Sequence, residues 1–189
     1  MRKDRKHFGT GFVAGVVGVL LLMLFVMLFV VYTGSYNVAA SEDHTSFVRW
    51  MLTTNMHNSV SSRAADITAP ETFTEAMVRE GAGEYKSMCQ HCHGGPGVKK
   101  SAWAEGMLPQ PPHLPDEVSE WEPNEIFWIV KHGIKMTGMP SFGATHSDDT
   151  LWNIVAFVNQ LPGMTAETYA GYEASHSRGR DQQSGGHSH

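Results

Sequence analysis

The hydrophobic pattern separates one long apolar run from the rest of the chain. Residues 12–32 contain no Lys, Arg, Asp or Glu. As a helix this run would be roughly 32 Å long, which matches the hydrocarbon thickness of a bilayer. A helix in a soluble core keeps a polar face, and this run has none. We therefore predict a transmembrane anchor over residues 11–32, preceded by a basic tail over residues 1–10.

The residues before the anchor predict its orientation. Four of them are basic and only Asp4 is acidic: Arg2, Lys3, Arg5 and Lys6. Because Lys and Arg stay on the cytoplasmic side, we expect the N-terminus inside and everything after residue 32 outside. A cleaved signal peptide ending near Ala40 is the alternative, although the apolar region of a signal peptide is only about 7–15 residues long.

Residues 33–71 form a juxtamembrane linker in which one amphipathic helix is expected. Phe47, Trp50 and Met51 recur at helical spacing, which predicts a helix over about residues 44–58. This helix is a short spacer beside the membrane, or it lies on the membrane surface, or it covers part of the next domain.

A compact domain is predicted over residues 72–162. Thr72 and Glu75 have the spacing of a capping box that opens a helix reaching the cysteines. Pro123 and Gly133 suit the start and the stop of a second helix. Ser147 can cap a third, which Pro162-Gly163 would end.

The segment between these helices, residues 94–122, is rich in Gly and Pro and predicts loop. No stretch alternates convincingly enough to be a strand, so the domain is expected to be all-α with long loops. A domain this small buries little apolar area from its own side chains, so something else should fill its core. Residues 163–189 are a C-terminal extension that ends in a disordered, polar, histidine-containing tail.

Charge excludes one class of partner. After the anchor the chain carries 10 basic and 18 acidic residues, a net charge of −8 with neutral histidines. Phosphate contacts need a basic surface, so no nucleic-acid partner is expected.

Both cysteines lie in one segment, MCQHCHGGPG at residues 88–97. Structural zinc usually takes four ligands, and a second cysteine pair is missing. A thioredoxin-like redox pair needs a βαβ context, which is also missing. Cys89-x-x-Cys92-His93 does meet the haem-attachment pattern, in which two thiols add to the vinyl groups and the histidine coordinates the iron. The pattern predicts one haem c attached through Cys89 and Cys92, with a disulfide and zinc as alternatives.

With this motif, residues 72–162 resemble the class I c-type cytochromes, which are monohaem electron carriers. In that family a glycine lies eight residues, and an aromatic residue four residues, before the first cysteine; here these are Gly81 and Tyr85. The last helix of the family often carries a small–aromatic pair that packs on the glycine, and Ala156-Phe157 resembles it. The resemblance implies a cytochrome c-like haem domain of a few short helices and long loops, preceded here by the transmembrane helix.

The resemblance also implies the axial ligands. His93 is the first, and its other ring N–H would bond a proline carbonyl after the attachment site, which is Pro112 or Pro111. The family usually takes the second ligand from a loop methionine after Gly and before Pro, and Met139 has these flanks. A proline holds such a loop at low entropic cost. The alternatives for the sixth position are Met136, His113, His132, His146 or an empty site.

These ligands predict a function. Two axial side chains leave no open position on the iron, and a thioether ligand raises the reduction potential. We therefore expect a one-electron carrier without catalytic residues, anchored in a bacterial inner membrane with its haem domain in the periplasm. Its donor would be a quinol-oxidising complex or a dehydrogenase, and its acceptor a terminal oxidase or reductase. The alternatives are a permanent subunit of an oxidase or dehydrogenase complex, and a haem sensor or peroxidase-like protein with a labile sixth ligand.

Overall fold

The structure, a computed structural model, describes residues 2–173, with side chains from residue 11 onward. The polar tail predicted at residues 174–189 lies outside this range. The chain divides into two compact units, residues 1–42 and residues 43–189.

The first unit is dominated by one helix, α1 (Arg2–Thr33). Its segment Gly11–Thr33 is long and apolar enough to cross a membrane, by length and composition, and none of its most apolar window is buried inside the protein. The predicted apolar helix is thus present, and its most apolar window is exposed among the residues that the structure describes.

The second unit is built from short helices. They are α2 (Ser46–Ala64), α3 (Glu75–Glu84), α4 (Gln90–His93), α5 (Leu114–Glu117), α6 (Pro123–His132), α7 (Asp148–Val158) and α8 (Ala166–Ala170). A π-helical turn, Tyr85–Cys89, joins α3 to α4, and 3₁₀ turns cover Ala102–Gly106, Val118–Glu120 and Phe142–Ala144. Within residues 2–173 there is no β-strand, only an isolated bridge between Gly95 and Val98. The predicted all-α class is confirmed.

Local signals explain where most of these helices begin and end. Ser147 caps α7 by accepting a hydrogen bond from the amide of Thr150. Glu122 and Glu125 form a capping box around Pro123, and Gly133 closes α6 with φ 65°, a conformation that favours glycine. The start of α3 differs from the prediction: its cap is Thr74, which accepts from the amide of Met77, because the extended backbone that a cap requires falls at Thr74.

The core forms where α3 crosses α7. A Cβ on Gly81 would lie 1.8 Å from the carbonyl oxygen of Asn153, so only glycine permits this approach. On α7, Gly81 therefore approaches Asn153, which lies one turn before the predicted Ala156-Phe157 pair. Phe157 packs instead on Tyr85, with ring centroids 5.3 Å apart.

Two helices depart from the predicted boundaries. The linker helix α2 runs to Ala64, and its last turns bury Val60 and Ala64. At the other end, α7 stops at Val158 and the core continues beyond residue 162, where the sequence predicted the domain to end. There α8 places Tyr169, 1% exposed, in the core. A five-residue helix with one buried side chain has no periodicity for the sequence to reveal.

Candidate haem site

A cavity of about 450 Å³ lies in the second unit. Four potential covalent or axial partners of a haem line it together: Cys89, Cys92, His93 and Met139. Most of the remaining lining is apolar and includes Leu114, Val118, Ile126, Val130 and Ile154. A mostly apolar cavity with a few convergent polar groups is the usual form of a small-molecule or cofactor site.

The two cysteines and the histidine are positioned by the tight turn between α3 and α4. Cys89 ends the π-helical turn and the other two lie in α4, which stops at Gly94 with φ 69°. The buried hydroxyl of Tyr85 donates to the carbonyl of Gly94 at 2.9 Å. The aromatic residue four positions before Cys89 therefore fixes the end of the attachment segment.

His93 is prepared to act as a metal ligand through one ring nitrogen. Its Nδ1 lies 2.9 Å from the carbonyl oxygen of Pro112, the geometry in which Nδ1 carries the proton and donates. Nε2 then keeps its lone pair, as an axial ligand requires. Burial lowers the pKa of His93, which keeps the imidazole neutral and able to coordinate.

Burial has the opposite effect on the thiols. It raises the pKa of Cys89 to about 12, with further contributions from Cys92 and Glu84, and it raises the pKa of Cys92. Thiolate is the form that attacks disulfides and binds zinc, so burial disfavours that reactive form of both cysteines. Among the described residues no group of three or more His, Cys, Asp or Glu side chains could hold a metal ion.

A folded loop after α6 presents Met139. Its amide donates to Thr137 Oγ1 at 3.1 Å, and its carbonyl accepts from the amide of Ile134 at 3.3 Å. Gly133 allows the loop to fold back, since a Cβ there would lie 2.7 Å from the Met139 carbonyl oxygen. Gly138 makes room for the Met107 side chain in the same way.

The alternative sixth ligands lie elsewhere. The side chain of Met136 is 86% exposed. His113 bonds Asp116 through Nδ1 at 2.8 Å, His132 packs on Trp128 with ring centroids 4.9 Å apart, and His146 Nδ1 lies 2.8 Å from the hydroxyl of Thr145. None of the four lines the cavity.

The donor set fits a covalently attached haem. Two thiols, a neutral imidazole held by a carbonyl, and a thioether meet in one apolar cavity. A family model described as cytochrome C oxidase, cbb3-type, subunit III matches residues 76–158. The second unit contains a c-type cytochrome domain. No curated protein and no solved structure matches the chain significantly.

The candidate haem site of this cytochrome domain includes residues that sequence reasoning missed. Thr53, Met56 and His57 of α2 line the cavity, although α2 precedes the matched segment. With Val60 and Ala64 they follow i, i+3, i+4, i+7 and i+11, the spacing of one helical face. The sequence contains this helical spacing, but three of its five positions are Thr, His and Ala, which are not apolar enough to mark a buried face. The residues that predicted the helix point elsewhere, with Phe47 67% and Trp50 62% exposed.

Proposed function

We propose that the protein is a membrane-anchored monohaem cytochrome c that carries single electrons. One haem c is bound through thioethers to Cys89 and Cys92, with His93 and Met139 as axial ligands. The observation that carries the proposal is the convergence of these four side chains on one apolar cavity. The cytochrome match over residues 76–158 supports it.

The chain's own residues set the conditions for electron transfer. Bound haem supplies a one-electron iron couple. Pro112 fixes the tautomer and orientation of His93, and the bonded loop around Thr137 and Met139 holds the thioether. Ligands held in both oxidation states need little rearrangement, and a filled sixth position leaves no site for substrate. We therefore propose an electron-transfer role rather than an enzymatic one.

The ligand assignment is tested by spectroscopy of Met139→Ala, with Met136→Ala as a matched control. Protein matured in an export-competent host should carry one haem by mass, which is lost in Cys89→Ser/Cys92→Ser. The near-infrared band of Met-ligated ferric haem should disappear in Met139→Ala and persist in Met136→Ala. A band that survives in Met139→Ala overturns the assignment. Carbon monoxide binding to the reduced wild-type protein at neutral pH would favour a sensor or peroxidase-like protein instead.

The localisation is part of the proposal. The apolar helix α1 would anchor the protein in a bacterial inner membrane, with the basic N-terminus cytoplasmic and the haem domain in the periplasm. This orientation is supported by the four basic residues before the apolar run. Its donors and acceptors would be membrane or periplasmic redox proteins: a quinol-oxidising complex or dehydrogenase, and a terminal oxidase or reductase.

A second candidate is a permanent subunit of an oxidase complex. The description of the matching family, a subunit of a cbb3-type cytochrome c oxidase, favours this candidate. Purification in mild detergent separates the two. A free carrier elutes alone, whereas a subunit elutes in stoichiometric amounts with other haem proteins.

A further inference from the structure

The haem cavity has a wall that lies outside the cytochrome match. Thr53, Met56 and His57 line the cavity that also contains the two cysteines, His93 and Met139. All three belong to α2, which ends 12 residues before the first matched residue. The cavity is therefore completed by the linker between the apolar helix and the cytochrome domain.

Buried contacts hold α2 in this place. Val60 is 1% and Ala64 0% exposed. Asn124 of α6 donates from Nδ2 to the carbonyl of Ala64 at 2.8 Å. The hydroxyl of Ser61 donates to the carboxylate of Glu125, which also belongs to the capping box of α6. The helix is thus attached to the first turn of α6 by packing and by two hydrogen bonds.

His57 of α2 contacts a second residue of the cavity lining, Trp121. Its ring stacks on Trp121 with centroids 4.5 Å apart and an interplanar angle of 15°. Both rings line the cavity. Met56, one residue earlier, contributes an apolar thioether side chain to the same lining. Together with Thr53, these two side chains are the part of α2 that a bound cofactor would meet.

We propose that α2 is a structural wall of the haem pocket that raises the reduction potential by excluding water. The proposal rests on haem binding at this cavity. Ferric haem carries one more positive charge than ferrous haem, so a drier, less polar surrounding favours the ferrous state. Met56 acts by occupying space that water would fill, and His57 is a positioning residue that holds Trp121 in the wall.

The test compares midpoint potentials of full-length holoprotein variants in detergent. Met56→Ala and His57→Ala should each shift the oxidation–reduction equilibrium toward the ferric state. Together they should lower the midpoint potential on the order of 59 mV, which is a tenfold shift for a one-electron couple. Met51→Ala is the matched control, because Met51 is a methionine of the same helix that is 45% exposed and does not line the cavity.

Conservative variants separate the wall from a merely structural role. Met56→Leu stays apolar and His57→Phe keeps a ring to stack on Trp121, so both should retain the wild-type potential. Lower stability with an unchanged potential in the alanine variants would overturn the proposal. If Met56→Ala fails to bind haem, equal potentials for His57→Ala and His57→Phe still refute it.

The two proposals fail in different ways. A wild-type protein without covalent haem or without the near-infrared band refutes the proposed function. An intact band in every α2 variant, with potentials equal to that of Met51→Ala, refutes only the role of α2.

Discussion

Gly81 is the residue that permits the close backbone approach between α3 and α7. Because Gly81 has no side chain, the backbone of Asn153 can approach it closely. A Cβ at this position would lie only 1.8 Å from the carbonyl oxygen of Asn153. Backbone cannot move aside as a flexible side chain can, so any larger residue must push α3 and α7 apart. Tyr85, which begins the π-helical turn after α3, would lose part of its contact with Phe157.

We expect Gly81→Ala to lower the free energy of unfolding by about 1–3 kcal/mol or more, the cost of overpacking a well-packed core. Denaturant unfolding of the holoprotein, followed by haem absorbance and circular dichroism, measures it. Gly106→Ala is the control, because a Cβ there meets nothing within 4 Å. Equal stability of the two variants would contradict the crossing geometry.

Single residues also show how far the sequence could locate the site. The attachment motif and the flanks of Met139 identified four side chains that the structure brings to one cavity. Their roles as haem ligands stay a prediction. Covalent attachment restricts residue types and spacing so tightly that the motif alone indicated Cys89, Cys92 and His93, whereas Met139 was implied by the resemblance to the class I cytochromes. Between Pro111 and Pro112 the sequence could not decide, because the direction of a carbonyl depends on the folded path of the loop; His93 bonds Pro112.

At the scale of elements, α8 shows what a sequence pattern conceals. Tyr169 donates from its hydroxyl to Gln90 Oε1 at 2.7 Å, beside the attachment turn. Its ring meets that of Tyr85 edge-on at 6.4 Å, and burial raises its pKa. A Cβ on Gly95 would lie 2.6 Å from the ring. A helix after the predicted end of the domain therefore supports the segment that carries Cys89, Cys92 and His93.

We expect Tyr169→Ala to destabilise the domain by about 3–5 kcal/mol, as for other large aromatic truncations, and Tyr169→Phe by about 1 kcal/mol through the lost hydrogen bond. Thermal and denaturant unfolding of the holoprotein give both values. Glu167→Ala, an exposed position in the first turn of the same helix, should change stability by no more than about 1 kcal/mol. A Tyr169→Ala variant as stable as Glu167→Ala would show that α8 is dispensable.

Elements with strong local signals were predictable, and those defined by tertiary contact were not. The bounds of α6 and the start of α7 follow from Pro, Gly, Ser and acidic residues that act on their own backbone. The packing face of α2 depends on α6, and its polar and small residues resemble a solvated surface. The most apolar residues of its first turns, Phe47 and Trp50, are exposed, so apolar character alone selected the wrong face.

At the scale of the whole molecule, the two units predict separable behaviour. Residues 1–42 and 43–189 are compact on their own. With α1 as the anchor, full-length protein should sediment with membranes and resist extraction by high salt. A chain in which a cleavable signal peptide replaces residues 1–33 should be released as a soluble protein with the same haem spectrum.

Cell fractionation followed by haem staining measures this difference. Recovery of the full-length chain in the soluble fraction, with its N-terminus cleaved near Ala40, would contradict the anchor and indicate a signal peptide. Loss of the spectrum in the released form would show that the haem domain depends on the first unit.

If α1 anchors the proposed electron carrier, the short connection between α1 and α2 would limit where electrons can be delivered. Residues 34–45 separate the end of α1 from the start of α2, and 12 residues span at most about 40 Å when fully extended. A tethered haem domain would therefore stay close to the membrane surface. For any docking site within reach of the tether, its effective concentration would be in the millimolar range. A partner whose docking surface lies farther from the membrane than the tether reaches could not receive electrons from this haem domain, even if the charges of the two surfaces were complementary.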